Sequence, residues 1–131
     1  MWGGSETADE ALVMSPVDLL SRLIAIFPEF SKQWDEPSNC FRDEDGSFTY
    51  CGAFAEFSSF FNANYEHLRR EQIAALSDLL DECMTKRQSD LDTAATTCFL
   101  ENVAGEPFHD DFATYLRDEA LTFYQNWNLR S

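Results

Sequence analysis

At 131 residues the chain is long enough to bury a core of its own, and its 44% hydrophobic content, with twelve Phe and three Trp, excludes a disordered chain. Twenty-four acidic residues against nine basic ones give a net charge of −15. Such an excess disfavours nucleic acid and anionic membrane as partners, because both repel a negative surface; it favours a basic protein partner, or serves solubility alone.

Residues 1–14 read as a flexible tail and residues 15–131 as one helical domain. The tail carries Glu6, Asp9 and Glu10 and no base before Arg22, the reverse of a secretory leader, and Met14-Ser15-Pro16 reads like a natural start. No apolar run approaches the roughly 20 residues needed to cross a bilayer. Ser15 is placed to cap a first helix, with Pro16 at its first position, Asp18 at the positive end of its dipole, and Leu19, Leu20, Leu23, Ile24 and Phe27 on one face. Pro28 breaks that run, and Glu29 to Asp35 makes a short turn carrying Phe30 and Trp34 inward. From Glu36 to Gly46 the chain is polar, with Pro37, Ser38, Asn39 and Asp45-Gly46 as loop signals.

Ser47 or Thr49 starts the next helix, whose Tyr50, Ala53, Phe54, Phe57, Phe60 and Phe61 form an aromatic stripe. The stripe has no interleaved Lys or Arg, so it reads as core rather than as a base-stacking surface. After a break at Asn62-Ala63-Asn64, a helix over about Tyr65 to Arg87 buries Leu68, Ile73, Leu76, Leu79, Leu80 and Cys83, with Lys86-Arg87 at its negative end. Leu91, Ala94, Ala95, Cys98, Phe99 and Val103 then mark a central helix over about 90–104, capped by Ser89 or Asp90 and stopped by Gly105 and Pro107. Leu100 lies off that stripe, so this helix is expected to pack on two sides. A last helical segment, capped by Asp110, carries Phe112, Tyr115, Leu116, Ala120, Phe123 and Trp127. The expected fold is all-α, a compact bundle of five or six helices around the central one.

Cys40, Cys51, Cys83 and Cys98 contain no Cys-x-x-Cys pair, and three of them sit on or beside apolar stripes, which reads as reduced thiols in a cytosolic protein. The even count leaves disulfides open. Asp43-x-Asp45-Gly46 invites a calcium-loop reading, which fails: the glycine register puts Phe41 and Gly52 where carboxylates are required. His67 and His109 are the two imidazoles, both expected at the surface, and His109-Asp110-Asp111 lacks a second ligand cluster. There is no glycine-rich phosphate loop, and neither a metal nor a cofactor is expected. Asn102 falls near the middle of the central stripe and reads as a partly buried amide that docks neighbouring helices; Glu101 is placed to pair with a base such as Arg117. Cys98, Phe99, Asn102 and Trp127 are thus assigned structural roles.

What remains is charge. Asp35, Glu36, Asp43, Glu44 and Asp45 surround the lone Arg42, and Asp110 and Asp111, with Asp118 and Glu119 beyond, form a second cluster. Acidic loops on a rigid body attract a basic partner, with Phe41, Phe48 or Phe108 as candidate apolar anchors.

Thr97-Cys98-Phe99-Leu100-Glu101-Asn102, followed by Phe123-Tyr124-x-x-Trp127, resembles a bacterial family of uncharacterised small helical proteins; Tyr50-x-x-x-Phe54-x-x-Phe57 and the leucine-rich helix through Leu80 fit the same pattern. The resemblance spans about residues 16–128 and implies fold more than activity. In size, acidity and helical make-up the chain is also similar to immunity proteins, cytosolic inhibitors made beside interbacterial toxins. That likeness implies a non-enzymatic cytoplasmic protein that binds a basic partner, a cognate toxin, through Asp35, Glu36, Asp43, Glu44, Asp45, Asp110 and Asp111. The alternatives are a helical regulatory or adaptor domain with no toxin partner and, less favoured, a hydrolase or metal enzyme using His109, Asp110 and Asp111.

Overall fold

The computed structural model describes residues 14–37, 39–85 and 88–130, with backbone alone at 119 and 127–130. Residues 1–13, Ser38, the Lys86-Arg87 pair and Ser131 lie outside the described residues. The fold is all-α, with no strand among the described residues.

Helix α1 (Pro16–Ile26) opens as expected. The Ser15 hydroxyl accepts the backbone N–H of Asp18 at 3.1 Å, and the Asp18 carboxylate accepts that of Ser15 at 3.0 Å, closing a reciprocal capping box. Leu19, Leu23 and Phe27 are fully buried, and beyond Pro28 the short α2 (Phe30–Trp34) turns Phe30 and Trp34 inward. Met14, assigned to the tail from sequence, is core at 4% exposure. Its backbone is bracketed by side chains from two other elements: Gln88 Oε1 accepts its N–H at 3.0 Å, and its carbonyl accepts Gln88 Nε2 at 3.1 Å and the Tyr50 hydroxyl.

Helix α3 (Tyr50–Asn64) is capped by Thr49, whose hydroxyl accepts the Gly52 N–H at 2.9 Å. Phe54, Phe57 and Phe61 on its inner face have no exposure at all. The helix expected from Tyr65 starts later than the pattern indicates. Tyr65–His67 is one 3-10 turn, Leu68 is extended, and α4 (Arg70–Thr85) follows. The buried Gln72 explains the delay: it accepts the Arg69 N–H at 2.9 Å and donates to the Ile26 carbonyl at 3.0 Å, tying the start of α4 to the last turn of α1.

The central helix is continuous over 89–104 but not uniform. It runs as α5 (Ser89–Thr93), a π-helical segment (Ala94–Leu100) and α6 (Glu101–Ala104). The π segment packs along α3 and also meets α4 and the C-terminal helix, which makes it the hub of the fold. Its wider i→i+5 turns absorb one extra residue, so everything downstream faces as if numbered one lower. Straight α-helical arithmetic puts Asn102 about 20° from Leu91, inside the stripe. With the extra residue, Val103 takes that place, Leu100 comes inside, and Asn102 is exposed. The partly buried amide is thus corrected, but not the docking bond: Asn102 Nδ2 donates to the Cys98 carbonyl at 2.8 Å and reaches Ser58 Oγ of α3 at 3.3 Å. Phe99 is the packing residue it was expected to be, with ring centroids 5.4 to 5.9 Å from Phe54, Phe57 and Phe61.

The last segment divides in two, α7 (His109–Ala113) and α8 (Asp118–Arg130). Phe108, not Asp110, occupies the cap position of α7, with no side-chain cap bond. Between them the chain turns, and Asp118 enters α8 at φ 51°, a left-handed conformation that a short polar side chain tolerates. Arg117 pairs with Asp78 of α4, not with Glu101. Leu116, Ala120 and Tyr124 bury one face of the last segment, while the Trp127 side chain lies outside the description.

The cysteines overturn part of the sequence reading. Cys51, in the first turn of α3, and Cys98, in the π segment, have Cα atoms 5.4 Å apart and form a disulfide. Cys98 therefore acts as a covalent tie rather than a thiol that merely packs. Cys40 and Cys83 stand outside the disulfide, the first exposed and the second buried.

Candidate interaction surface

The acidic segment between α2 and α3 is a folded loop with an anchor at each end. Asn39 is buried; its amide donates to the Trp34 carbonyl at 2.9 Å and its Oδ1 accepts the Phe41 N–H at 3.0 Å. Near the other end Phe48 packs edge-on against Trp34 at 4.8 Å. Gly52 lets the loop pass close to α3: a Cβ there would lie 3.1 Å from the Phe41 Cβ. Between the anchors the chain reverses at 43–46, where the Gly46 N–H reaches the Asp43 carbonyl at 2.9 Å and Gly46 takes φ 87°.

That turn projects Asp43, Glu44 and Asp45 into solvent. Ser47 lies between two of the carboxylates, its hydroxyl 2.7 Å from Asp45 Oδ1 and 3.1 Å from Asp43 Oδ2. The Ser47 hydroxyl, with the Ser47 N–H, holds the Asp45 carboxyl below its usual range, so it stays charged in mild acid. Asp35 is paired with Arg42 at 3.6 Å, and Arg42 also donates to the carbonyls of Asp35 and Glu36 at 3.3 Å. Arg42 is thereby turned back onto the loop, leaving the carboxylates of the turn outward. Of the three candidate anchors, Phe41 is 39% exposed, whereas Phe48 and Phe108 are half-buried, Phe108 stacked on Tyr65 at 4.0 Å.

The second acidic cluster is elsewhere. Tyr65, just beyond the far end of α3, donates its hydroxyl to Asp111 Oδ2 at 2.5 Å. Burial, then the Asp111 carboxylate, pushes the Tyr65 phenol well above its ordinary value. Asp111 is therefore a structural acceptor that docks α7, while Asp110 is exposed beside His109 at 3.3 Å. The two clusters, expected from sequence to act together, lie at opposite ends of α3, whose 15 residues span about 22 Å. His67 lines a cleft of about 500 Å³ with Glu66, Glu106 and Phe108. Among the described residues no three His, Cys, Asp or Glu side chains are grouped to hold a metal, His109, Asp110 and Asp111 included.

An all-α body with an anchored acidic loop at one end defines a small helical protein by its architecture and surface. The chain belongs to the family described as a domain of unknown function (DUF7674), which matches residues 20–130. No curated protein and no solved structure matches it. No helix among the described residues is long and apolar enough to cross a membrane.

Proposed function

We propose that this protein is a non-enzymatic binding protein that engages a basic partner through the 35–49 loop, most concretely as an immunity protein that covers the active site of a cognate toxin. The observation that carries the reading is the way the loop is built. Asn39 and Phe48 fix its two ends, Arg42 is spent on its own backbone, and Asp43, Glu44 and Asp45 project outward beside the exposed Phe41. A surface ordered before binding loses little entropy on association, and an aromatic side chain that is desolvated within the contact can anchor it. Asp110 and Asp111 belong to a separate patch and contribute to long-range attraction; Asp111, still exposed, also accepts the Tyr65 hydroxyl.

The cytoplasmic placement goes with the immunity reading, although the Cys51–Cys98 disulfide removes the support that four reduced thiols would lend it. A cytosolic form of this protein would hold Cys51 and Cys98 as a bond that is made and broken rather than as a permanent staple. The test is co-expression with the product of the adjacent gene, followed by titration of the purified pair. Asp43→Asn, Glu44→Gln and Asp45→Asn together keep an acceptor for Ser47 and remove three charges. The expected result is a loss of affinity of at least about tenfold, with the remaining binding less sensitive to salt. Affinity unchanged by both the triple variant and added salt removes the loop from the interface.

A further inference from the structure

Where α3 begins against the π segment, the disulfide lines an open cavity of about 540 Å³. Pro16, Phe48, Tyr50 and Ala94 give it apolar walls, and the exposed Asp90 and Thr93 lie on its rim. The two half-cystines are unequal. Cys51 is exposed in the first turn of α3, where free backbone N–H groups and the helix dipole favour a negative charge. Cys98 is 9% exposed, in the middle of a helix and packed in the core.

We propose that Cys51–Cys98 is a thiol–disulfide exchange site for a dithiol protein, which docks an apolar segment in this cavity. The inequality of the two sulfurs fixes the order of events. Cys51 is the more exposed of the two residues, so the first thiolate of the dithiol bonds to its sulfur, the Cys51–Cys98 bond breaks, and Cys98 leaves as a thiolate that takes a proton from water. The second thiolate of the dithiol then attacks the sulfur of its own partner, and Cys51 leaves as a thiolate. Two electrons have passed: the dithiol ends as a disulfide, its two protons released to water on ionisation, and both cysteines of this chain end reduced, Cys98 as a thiol and Cys51 as a thiolate that takes its proton from water. Expelling Cys98 into apolar surroundings makes the first step slow, whereas the helix terminus makes Cys51 a good leaving group in the second. Because both thiols of the dithiol belong to one protein, that second step is intramolecular, an advantage that a small monothiol lacks, while docking in the cavity raises the effective concentration for the first. Reduction frees the start of α3, where the acidic loop ends, from the π segment. The exchange stands independently of what the loop binds.

The experiment uses the full chain carrying Cys40→Ser, which removes an exposed competing thiol. Thioredoxin lacking its resolving cysteine is expected to form a mixed disulfide that peptide mass spectrometry maps to Cys51. Intact thioredoxin is expected to reduce the bond at least tenfold faster than glutathione at equal thiol concentration. Thr93→Trp and, separately, Asp90→Trp narrow the cavity from its exposed rim; each is expected to slow thioredoxin at least fivefold and leave the glutathione rate within twofold. An adduct on Cys98, no adduct, or rim variants that slow both reductants equally or neither would overturn the proposal.

Discussion

Replacing Cys51 and Cys98 by Ser removes a cross-link between residues 47 apart in the chain. The loop so closed loses about 14 cal/mol/K of unfolded-state entropy by the chain-entropy relation, or about 4 kcal/mol at 25 °C. That is a large part of the roughly 5–15 kcal/mol that separates an ordinary domain from its unfolded chain. With a urea slope of about 2 kcal/mol/M, the unfolding midpoint followed by far-ultraviolet circular dichroism falls by about 2 M. The slope itself rises, because the unlinked chain exposes more surface when it unfolds. A midpoint within about 0.3 M of the oxidised protein refutes the reasoning. A full shift at unchanged slope would instead place the effect in the native state, in lost contact between α3 and the π segment.

Two further perturbations address single bonds. Tyr65→Phe loses the hydroxyl donated to Asp111 and costs about 1–3 kcal/mol, read from the same urea midpoint. The phenol's folded value is raised, so its contribution is complete below the unfolded phenol value near 10 and is lost as pH climbs above it, where the unfolded chain gives up its proton first. Wild-type stability thus falls between about pH 9 and 11, and the Phe variant falls less steeply; equal slopes would mean that this phenol does not stay protonated in the fold. Tyr124, also raised by burial, supplies a remaining slope in both proteins. Ser15→Ala opens the capping box of α1 and costs about 1 kcal/mol, with Ser15→Thr retaining most of it; equal losses in both would take the cap out of the account.

The all-α fold was legible because the sequence repeats one signal at several places. Ser15-Pro16, the Phe54–Phe57–Phe61 face and the Leu91–Phe99 face each show apolar spacing with a start or stop residue beside them. What failed were events that a single helix does not encode. The π segment shifts the facing of Leu100, Asn102 and Val103 by one step, and uniform arithmetic cannot anticipate where that step falls. A late start for α4 depends on Gln72 finding Ile26, which is 46 residues away. Cys51 and Cys98 carry no spacing signal because their pairing arises only once α3 lies along the central helix. In the candidate surface, exposure of Asp43, Glu44 and Asp45 followed from their turn chemistry. No local pattern signals that Tyr65 claims Asp111, or that α3 holds the two acidic groups apart. A π-helical facing shift has one available clue in hindsight, the adjacent triple Cys98-Phe99-Leu100, all apolar where an α-helix has room for two inward.

The two negative ends of α3 have a consequence for counting. A ligand smaller than about 22 Å across meets only one of them at a time. A partner that uses the 35–49 loop alone settles at a ratio of one to one whatever its size. A second equivalent of a small basic ligand would therefore report binding at the Asp110 end, where Phe41 is absent.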